Sequence, residues 1–162
     1  MSANTVIREY AATDEAALIG LVLELQAYER QWDDCVRPAA EIGPWYVADL
    51  LNQCAKDQGT VLIAERAGKA VGYAVVYVGL NTAGDRDQIE YRYARIGDLC
   101  VTESCRGSGI GRALIAACEA RTRAAGVSRL TIRHDPQNVR PAQFYASLGF
   151  QAVQVVREKT LD

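Results

Sequence analysis

The sequence holds a single histidine, and none of its five cysteines (Cys35, Cys54, Cys100, Cys105 and Cys118) forms a CxxC pair. Protein zinc sites are built from clusters of such residues, so no metal is expected. An odd set of thiols without paired spacing also argues against a disulfide scaffold. Cys100 and Cys118 sit among apolar neighbours, as buried free thiols do. No apolar run approaches the roughly 18 residues that a membrane-spanning helix needs. The start Met1-Ser2-Ala3-Asn4-Thr5 lacks the basic region and apolar stretch of a secretory leader, and no lipidation motif is present. These absences together predict a cytoplasmic protein with no membrane partner.

What is present fits one soluble domain over residues 1–162, with 49% hydrophobic and 23% charged residues. No repeat, low-complexity tract or Pro/Gly/Ser-rich linker divides it. The net charge of −2 gives no reason to expect nucleic acid as a partner. The charge is uneven, however. Residues 1–90 carry 7 Lys+Arg against 14 Asp+Glu, and residues 91–162 carry 11 against 6. A basic half suits a polyanionic ligand and an acidic half a cationic one, although surface charge also scatters unevenly by chance.

Periodicity predicts the order βααβββαβαβ. Thr5–Tyr10 alternates as a strand. Thr13 reads as a helix N-cap ahead of acidic first-turn residues, with a helix from Asp14 to Arg30 bearing Leu18, Leu21, Val22 and Leu25. Gly43-Pro44 opens a second helix that ends near Gly59. Thr60–Glu65 and Ala70–Leu80 are β-rich about the turn Arg66-Ala67-Gly68-Lys69, and Ile89–Val101 follows the polar loop Asn81–Asp87. Gly109–Ala125 is helical, Ser128–Arg133 a short strand, Asn138–Leu148 a helix and Phe150–Arg157 a last strand. A helix between two late strands implies a parallel pair, and the earlier hairpins imply antiparallel ones. The expected fold class is therefore α/β (α+β), a mixed, mostly antiparallel sheet of six to seven strands flanked by about four helices.

The most informative segment is Arg106-Gly107-Ser108-Gly109-Ile110-Gly111-Arg112, between the strand ending near Val101 and a helix. Such a turn presents backbone N–H groups at a positive helix end, which suits phosphate, and glycines let a ligand approach closely. It is not a P-loop, because no Lys-Ser/Thr follows, and it is one residue short of the G-x-G-x-x-G dinucleotide fingerprint. It matches R-x-x-G-x-G at Arg106, Gly109 and Gly111. The run Ile96–Leu114 (IGDLCVTESCRGSGIGRAL) resembles the acetyl-CoA-binding motif of the GNAT superfamily of N-acetyltransferases. Leu130–Phe150 (LTIRHDPQNVRPAQFYASLGF) resembles that superfamily's next motif, and Val61–Tyr77 its central hairpin.

The resemblance implies an acetyl-CoA-dependent N-acetyltransferase, with residues 1–60 shaping the acceptor site and 61–157 forming the cofactor-binding core. It implies direct attack by a primary amine of a small molecule or peptide in a ternary complex, and it is compatible with a homodimer. Leu99, Cys100 and Val101 would pair with the pantetheine arm through their main chain. The amides of Arg106, Gly107, Ser108, Gly109, Ile110, Gly111 and Arg112 would take the pyrophosphate. A bulge eased by Gly97 would open the cleft beside this strand.

Tyr145 matches the superfamily's general acid, which gives a proton to the departing thiolate. Asn138 would bond the pantetheine arm or cap its helix. For the base, some members of the superfamily place a glutamate on the strand before the turn, and none stands there here. Asp98 is the nearest carboxylate, while Glu103 and ordered water remain open. His134 reads as a surface turn residue, and Arg112 and Arg140 either meet a phosphate or are solvated. Tyr28, Glu29, Trp32, Asp33, Asp34, Glu41, Trp45 and Tyr46 supply rings and carboxylates that suit a cationic amine. Two other function classes compete, a non-catalytic acyl-CoA-binding module and a dinucleotide oxidoreductase. The latter lacks its acidic residue about 20 positions past the turn.

Overall fold

A computed structural model describes residues 4–84, 87, 89–159 and 161. Met1–Ala3, and Asp85 and Arg86 of the polar loop expected at 81–87, lie outside the described residues. Five strands form one sheet in the sequential order β1 (Thr5–Glu9), β2 (Gly59–Arg66), β3 (Lys69–Asn81), β4 (Arg92–Val101) and β5 (Leu130–Ile132). The first four pair antiparallel, and β4 pairs parallel with β5. Ala67 and Gly68 both have positive φ, 51° and 74°, which gives the β2–β3 hairpin a two-residue turn matched to strand twist.

Each face of the sheet buries its own core. Helices α1 (Glu15–Glu29) and α2 (Pro44–Lys56) cover one face, where Leu18, Leu21, Val22, Val47 and Leu50 meet Val61, Ile63, Tyr73, Val75 and Cys100. Helix α3 (Ile110–Ala124) crosses the other face and joins β4 to β5. Its Ile110, Leu114, Ile115 and Cys118 pack on Leu62, Ala64, Ala74, Val76, Ala94 and Ile96. Helix α4 (Val139–Ala146) adds Phe144 and Tyr145 to that second core.

Two expectations are corrected. Phe150–Arg157 forms no strand, so among the described residues the sheet has five strands rather than six or seven. Val153, Val155 and Val156 are 88%, 68% and 80% exposed. The segment has the composition of a strand, but β-propensity is expressed only against a partner ladder, and β5 is three residues long. Thr13 does not cap α1. It lies in a 3-10 turn, and Asp14 precedes the helix without a side-chain cap.

Asp14 instead ties β1 to α1. Its carboxylate accepts two hydrogen bonds from the Arg8 guanidinium, at 2.7 and 2.8 Å, and one from the Ala11 amide at 2.8 Å. Hydrogen bonding to Arg8 lowers the Asp14 pKa to about 2 against the opposing effect of burial. A depressed carboxyl contributes stability above its unfolded value near 3.9, and that contribution is lost as pH falls through about 2. Asp14→Asn is expected to cost about 1–3 kcal/mol at pH 7 by urea denaturation, and the difference from wild type should vanish toward pH 2.

Candidate active site

The glycine turn is built to leave donors free. After β4, a 3-10 turn at Glu103–Cys105 uses the Cys105 and Arg106 amides, which donate to Thr102 O and Glu103 O. Gly107 and Gly109 then take φ of 75° and 86°, in the region where a Cβ would be strained. Helix α3 starts at Ile110, and its first internal bond runs from Ala113 N to Gly109 O. Among the described residues no acceptor takes the amides of Gly107 through Arg112. Successive unfilled N–H groups at a helix start form an anion cradle. Gly111 serves another purpose, since a Cβ there would sit 3.2 Å from the Phe144 ring of α4.

The guanidinium of Arg106 turns away from this cradle. It donates to Val101 O at 3.0 Å, approaches Glu24 Oε1 at 3.4 Å and lies 5.1 Å over the Tyr28 ring. Glu24 also accepts from Thr102 Oγ1 and the Glu103 amide, so α1 is pinned across the end of β4. Arg112 and Arg140 are exposed.

The fork beside β4 follows from register. β4 and β5 pair at Ala94–Leu130, Arg95–Thr131 and Ile96–Ile132, and go no further. On the other side, Val76 pairs with Ile96 but Ala74 pairs with Leu99, so Gly97 and Asp98 together oppose Val75. This is the bulge expected at Gly97. Thr102 N bonds Val71 O, so by antiparallel alternation Cys100 also faces β3 with its main chain. The N–H groups of Leu99 and Val101 therefore point away from β3, into the fork.

The bulge also sets side-chain direction. Ile96 and Leu99 both face α3, while Asp98 and Cys100 face α1 and α2. Asp98 Oδ2 accepts from Tyr73 Oη at 3.1 Å and Tyr46 Oη at 3.3 Å. Burial raises the Asp98 pKa, and these two hydroxyls oppose that shift. Burial pushes the Cys100 thiol up to about 12, which leaves it protonated and unreactive.

Glu29 is the functional candidate to which the sequence reading gave no role of its own. Leu18, Val22 and Leu25 form the core-facing stripe of α1, and Glu29 continues that stripe four residues on. A carboxylate thus stands where the pattern calls for an apolar residue. The residue is exposed at the rim, its main-chain oxygen accepts from the Trp32 and Asp33 amides, and its carboxylate has no hydrogen-bond partner among the described residues. Although its outer surface meets solvent, the protein-facing side of the carboxyl is buried, and that burial, aided by the charges of Asp98 and Asp33, pushes it up to about 7. Burial likewise raises the Tyr145 hydroxyl to about 12, with Glu29 and Tyr28 adding to the shift.

Asn138 is 5% exposed and stands at the N-cap position of α4, but its side chain makes no cap hydrogen bond. Its Nδ2 donates to Tyr28 Oη at 2.9 Å, which ties α4 to α1, so the capping role is corrected. His134 lies 5.9 Å from the Tyr145 ring and is exposed. Glu103 contributes its amide rather than its carboxylate. Asp33, Asp34 and Cys35 cluster on the exposed loop after α1, and Trp32 and Trp45 are 37% and 47% exposed.

A sequence profile of the acetyltransferase (GNAT) family matches residues 24–150. A mycothiol acetyltransferase of Thermobispora bispora is 33% identical over 113 residues, covering 68% of this chain and 37% of that protein. The chain therefore spans little more than a third of the length of this curated relative. A tetramutant of the BH1408 protein from Bacillus halodurans has the same fold, with a TM-score of 0.83 and 25% identity over 96% of this chain and 99% of that one. AAC(6')-Iy, solved with the bisubstrate analogue CoA-S-monomethyl-acetylneamine, gives a TM-score of 0.75 at 20% identity, over 98% and 99%. At that identity the likeness concerns the fold.

Gly97 tests the fork independently of any ligand. A Cβ there would lie 2.6 Å from the ring of Tyr77, which is itself 7% exposed. Gly97→Ala is expected to lower stability by about 1–3 kcal/mol in urea denaturation, as overpacking does.

Proposed function

The chain belongs to the acetyltransferase (GNAT) family, and from that premise we propose that it moves an acetyl group from acetyl-CoA to a primary amine of a small molecule or peptide. The reaction is direct attack with both substrates bound. The observation that carries this reading is the fork. The free amides of Leu99 and Val101 lead to the unfilled cradle Gly107–Arg112, and Asp98 stands at the fork's closed end.

Acetyl-CoA supplies the activated thioester. The fork amides bind the pantetheine arm as an added strand would, with Asn138 nearby on the α4 side, and one of them meets the charge that develops on the carbonyl oxygen. The turn amides hold the pyrophosphate, and Arg112 adds charge at the rim. Because Arg106 is committed to Glu24, Val101 O and the Tyr28 ring, its part is to fix the turn against α1.

On the acceptor side, an amine with a lysine-like pKa near 10.4 arrives as a cation and must lose a proton before it attacks. Asp98 and Glu29 attract the cation. Asp98 keeps its orientation through Tyr46 and Tyr73, while Glu29 has free oxygens and water access, so it accepts the proton that leaves. Tyr145, at about 12, stays protonated at neutral pH. A free thiol near 8.5 is the stronger acid, so transfer from Tyr145 accompanies C–S cleavage and is followed by reprotonation from water.

Turnover is measured as CoA thiol release across an amine panel. Tyr145→Phe is expected to reduce kcat by about 100-fold or more, the usual scale of proton-transfer catalysis, with acetyl-CoA affinity unchanged. Unchanged turnover would remove Tyr145 from the mechanism. Binding of acetyl-CoA without thiol release from any amine would favour a binding module.

The pH profile tests Glu29. The base must be ionised, so kcat/KM should rise through a limb near pH 7 and level off above it. Glu29→Gln should abolish that limb, and Asp98→Asn should move it to lower pH by removing a neighbouring charge. Glu29→Gln also removes a charge that burial and Asp98 disfavour. Thermal stability above pH 7 should therefore hold or rise, unlike the result of losing a structural contact.

A further inference from the structure

A cavity of about 290 Å3 opens at the closed end of the fork, lined by Tyr77, Arg95, Ile96, Gly97, Asp98 and Arg133. Its charges are arranged in an unusual way for a site that receives only a cation. Arg95 lies on the strand face that carries Tyr77, with its guanidinium 5.6 Å from that ring. Arg133 follows Ile132, the last paired residue of β5, and so stands where the parallel register would bring it opposite Gly97. Gly97 adds no side chain to the cavity, whose wall at that point is the Tyr77 ring.

Neither guanidinium has an acidic partner among the described residues. Asp98, in the same cavity, is bonded to two tyrosines and not to either arginine. The cavity thus holds two cations and one anion that do not neutralise one another. Two unpaired guanidiniums facing a shared space are a recognition element for carboxylate or phosphate oxygens. The other basic residues of the region are used differently. Arg129 lies 4.3 Å from the Tyr91 ring, and Arg92 donates weakly to Val78 O and Ala125 O.

We infer that the acceptor carries an anionic group beside its amine, and that Arg95 and Arg133 hold this group while Asp98 and Glu29 receive the ammonium. The substrate class is an amino acid, a short peptide or an aminophosphate, rather than a purely cationic polyamine. This rests on the acetyl-transfer reading above and narrows its acceptor. The inferred subsite acts in binding, so it should appear in KM more than in kcat.

The experiment uses the whole chain and begins with the thermal midpoint in acetyl-CoA. Thiol release is then measured with common amino acids, each against its carboxamide, and with O-phosphoethanolamine against ethanolamine. Spermidine serves as the purely cationic amine. Expected are at least a tenfold higher kcat/KM for anion-bearing members, and a preference between carboxylate and phosphate that identifies the source of the charge. Arg95→Gln combined with Arg133→Gln should raise KM for the preferred acceptor by 10-fold or more, leaving its kcat and the acetyl-CoA midpoint shift in place. Arg129→Gln, outside the cavity, should change neither value.

Equal or better use of the neutral amides or spermidine would overturn the inference, as would an unchanged KM in the double variant. So would an anionic panel that neither turns over nor raises the midpoint of the CoA-bound protein. Absence of any midpoint rise with acetyl-CoA would overturn the acetyl-transfer reading itself, and this inference with it.

Discussion

One extra residue in β4 governs the arrangement of the site. A strand alternates its side chains with period two, so opposing Val75 with both Gly97 and Asp98 shifts every later residue of β4 by one position. Without that shift, Asp98 would face α3 and Leu99 would face α1. With it, Asp98 meets Tyr46 and Tyr73, and Leu99 joins the core beneath α3. Pairing with β5 also stops at Ile96, immediately before the bulge, which frees the far edge of β4. Glycine suits the first bulge position, because a Cβ there would press on the Tyr77 ring.

Around this bulge the protein gathers polar groups that a stable core would normally exclude. Leaving a buried hydroxyl unpaired costs about 1–3 kcal/mol, and Tyr73, fully buried, avoids that cost by donating to Asp98. Asp98 in turn raises the proton affinity of Glu29, and Glu29 that of Tyr145. Three elements that are distant in sequence thus share one electrostatic environment, with a carboxyl group near neutrality and a phenol that stays protonated. A carboxyl raised toward neutrality beside a phenol that stays protonated suits a site that must take a proton at one atom and give one at another. Glu24 and Tyr28 hold α1 over this site through Thr102, Arg106 and Asn138.

Much of this was legible in the sequence. The β-rich runs Thr60–Glu65 and Ala70–Leu80, the glycine turn and the apolar faces of α1 and α3 each encode local structure directly, and the structure has those elements at nearly those positions. The bulge is implied by the superfamily resemblance of Ile96–Leu114, with Gly97 as the residue that eases it, and Gly97 stands at its first position. The last strand could not be judged from composition, since whether Phe150–Arg157 pairs depends on an edge elsewhere in the sheet. Asn138 looked like a helix cap because Asn favours that position, but the proximity of Tyr28, 110 residues away, decided its bond. Glu29 had a readable signal, a carboxylate at the next position of an apolar stripe. Its consequence required knowing that α1 ends over β4. Arg95 and Arg133 are ordinary in sequence and acquire meaning only where β4 and β5 part.

On this reading the fork and the glycine turn form one continuous main-chain site for acetyl-CoA. An amide-resolved NMR titration tests it most directly, with NADH and ATP as controls. Acetyl-CoA is expected to produce the largest shifts at the amides of Leu99, Val101 and Gly107 through Arg112, the donors left free of internal acceptors, with little response to NADH. Shifts confined to the turn and equal for all three ligands would contradict it, because they would describe a general phosphate site in which the open edge of β4 has no part.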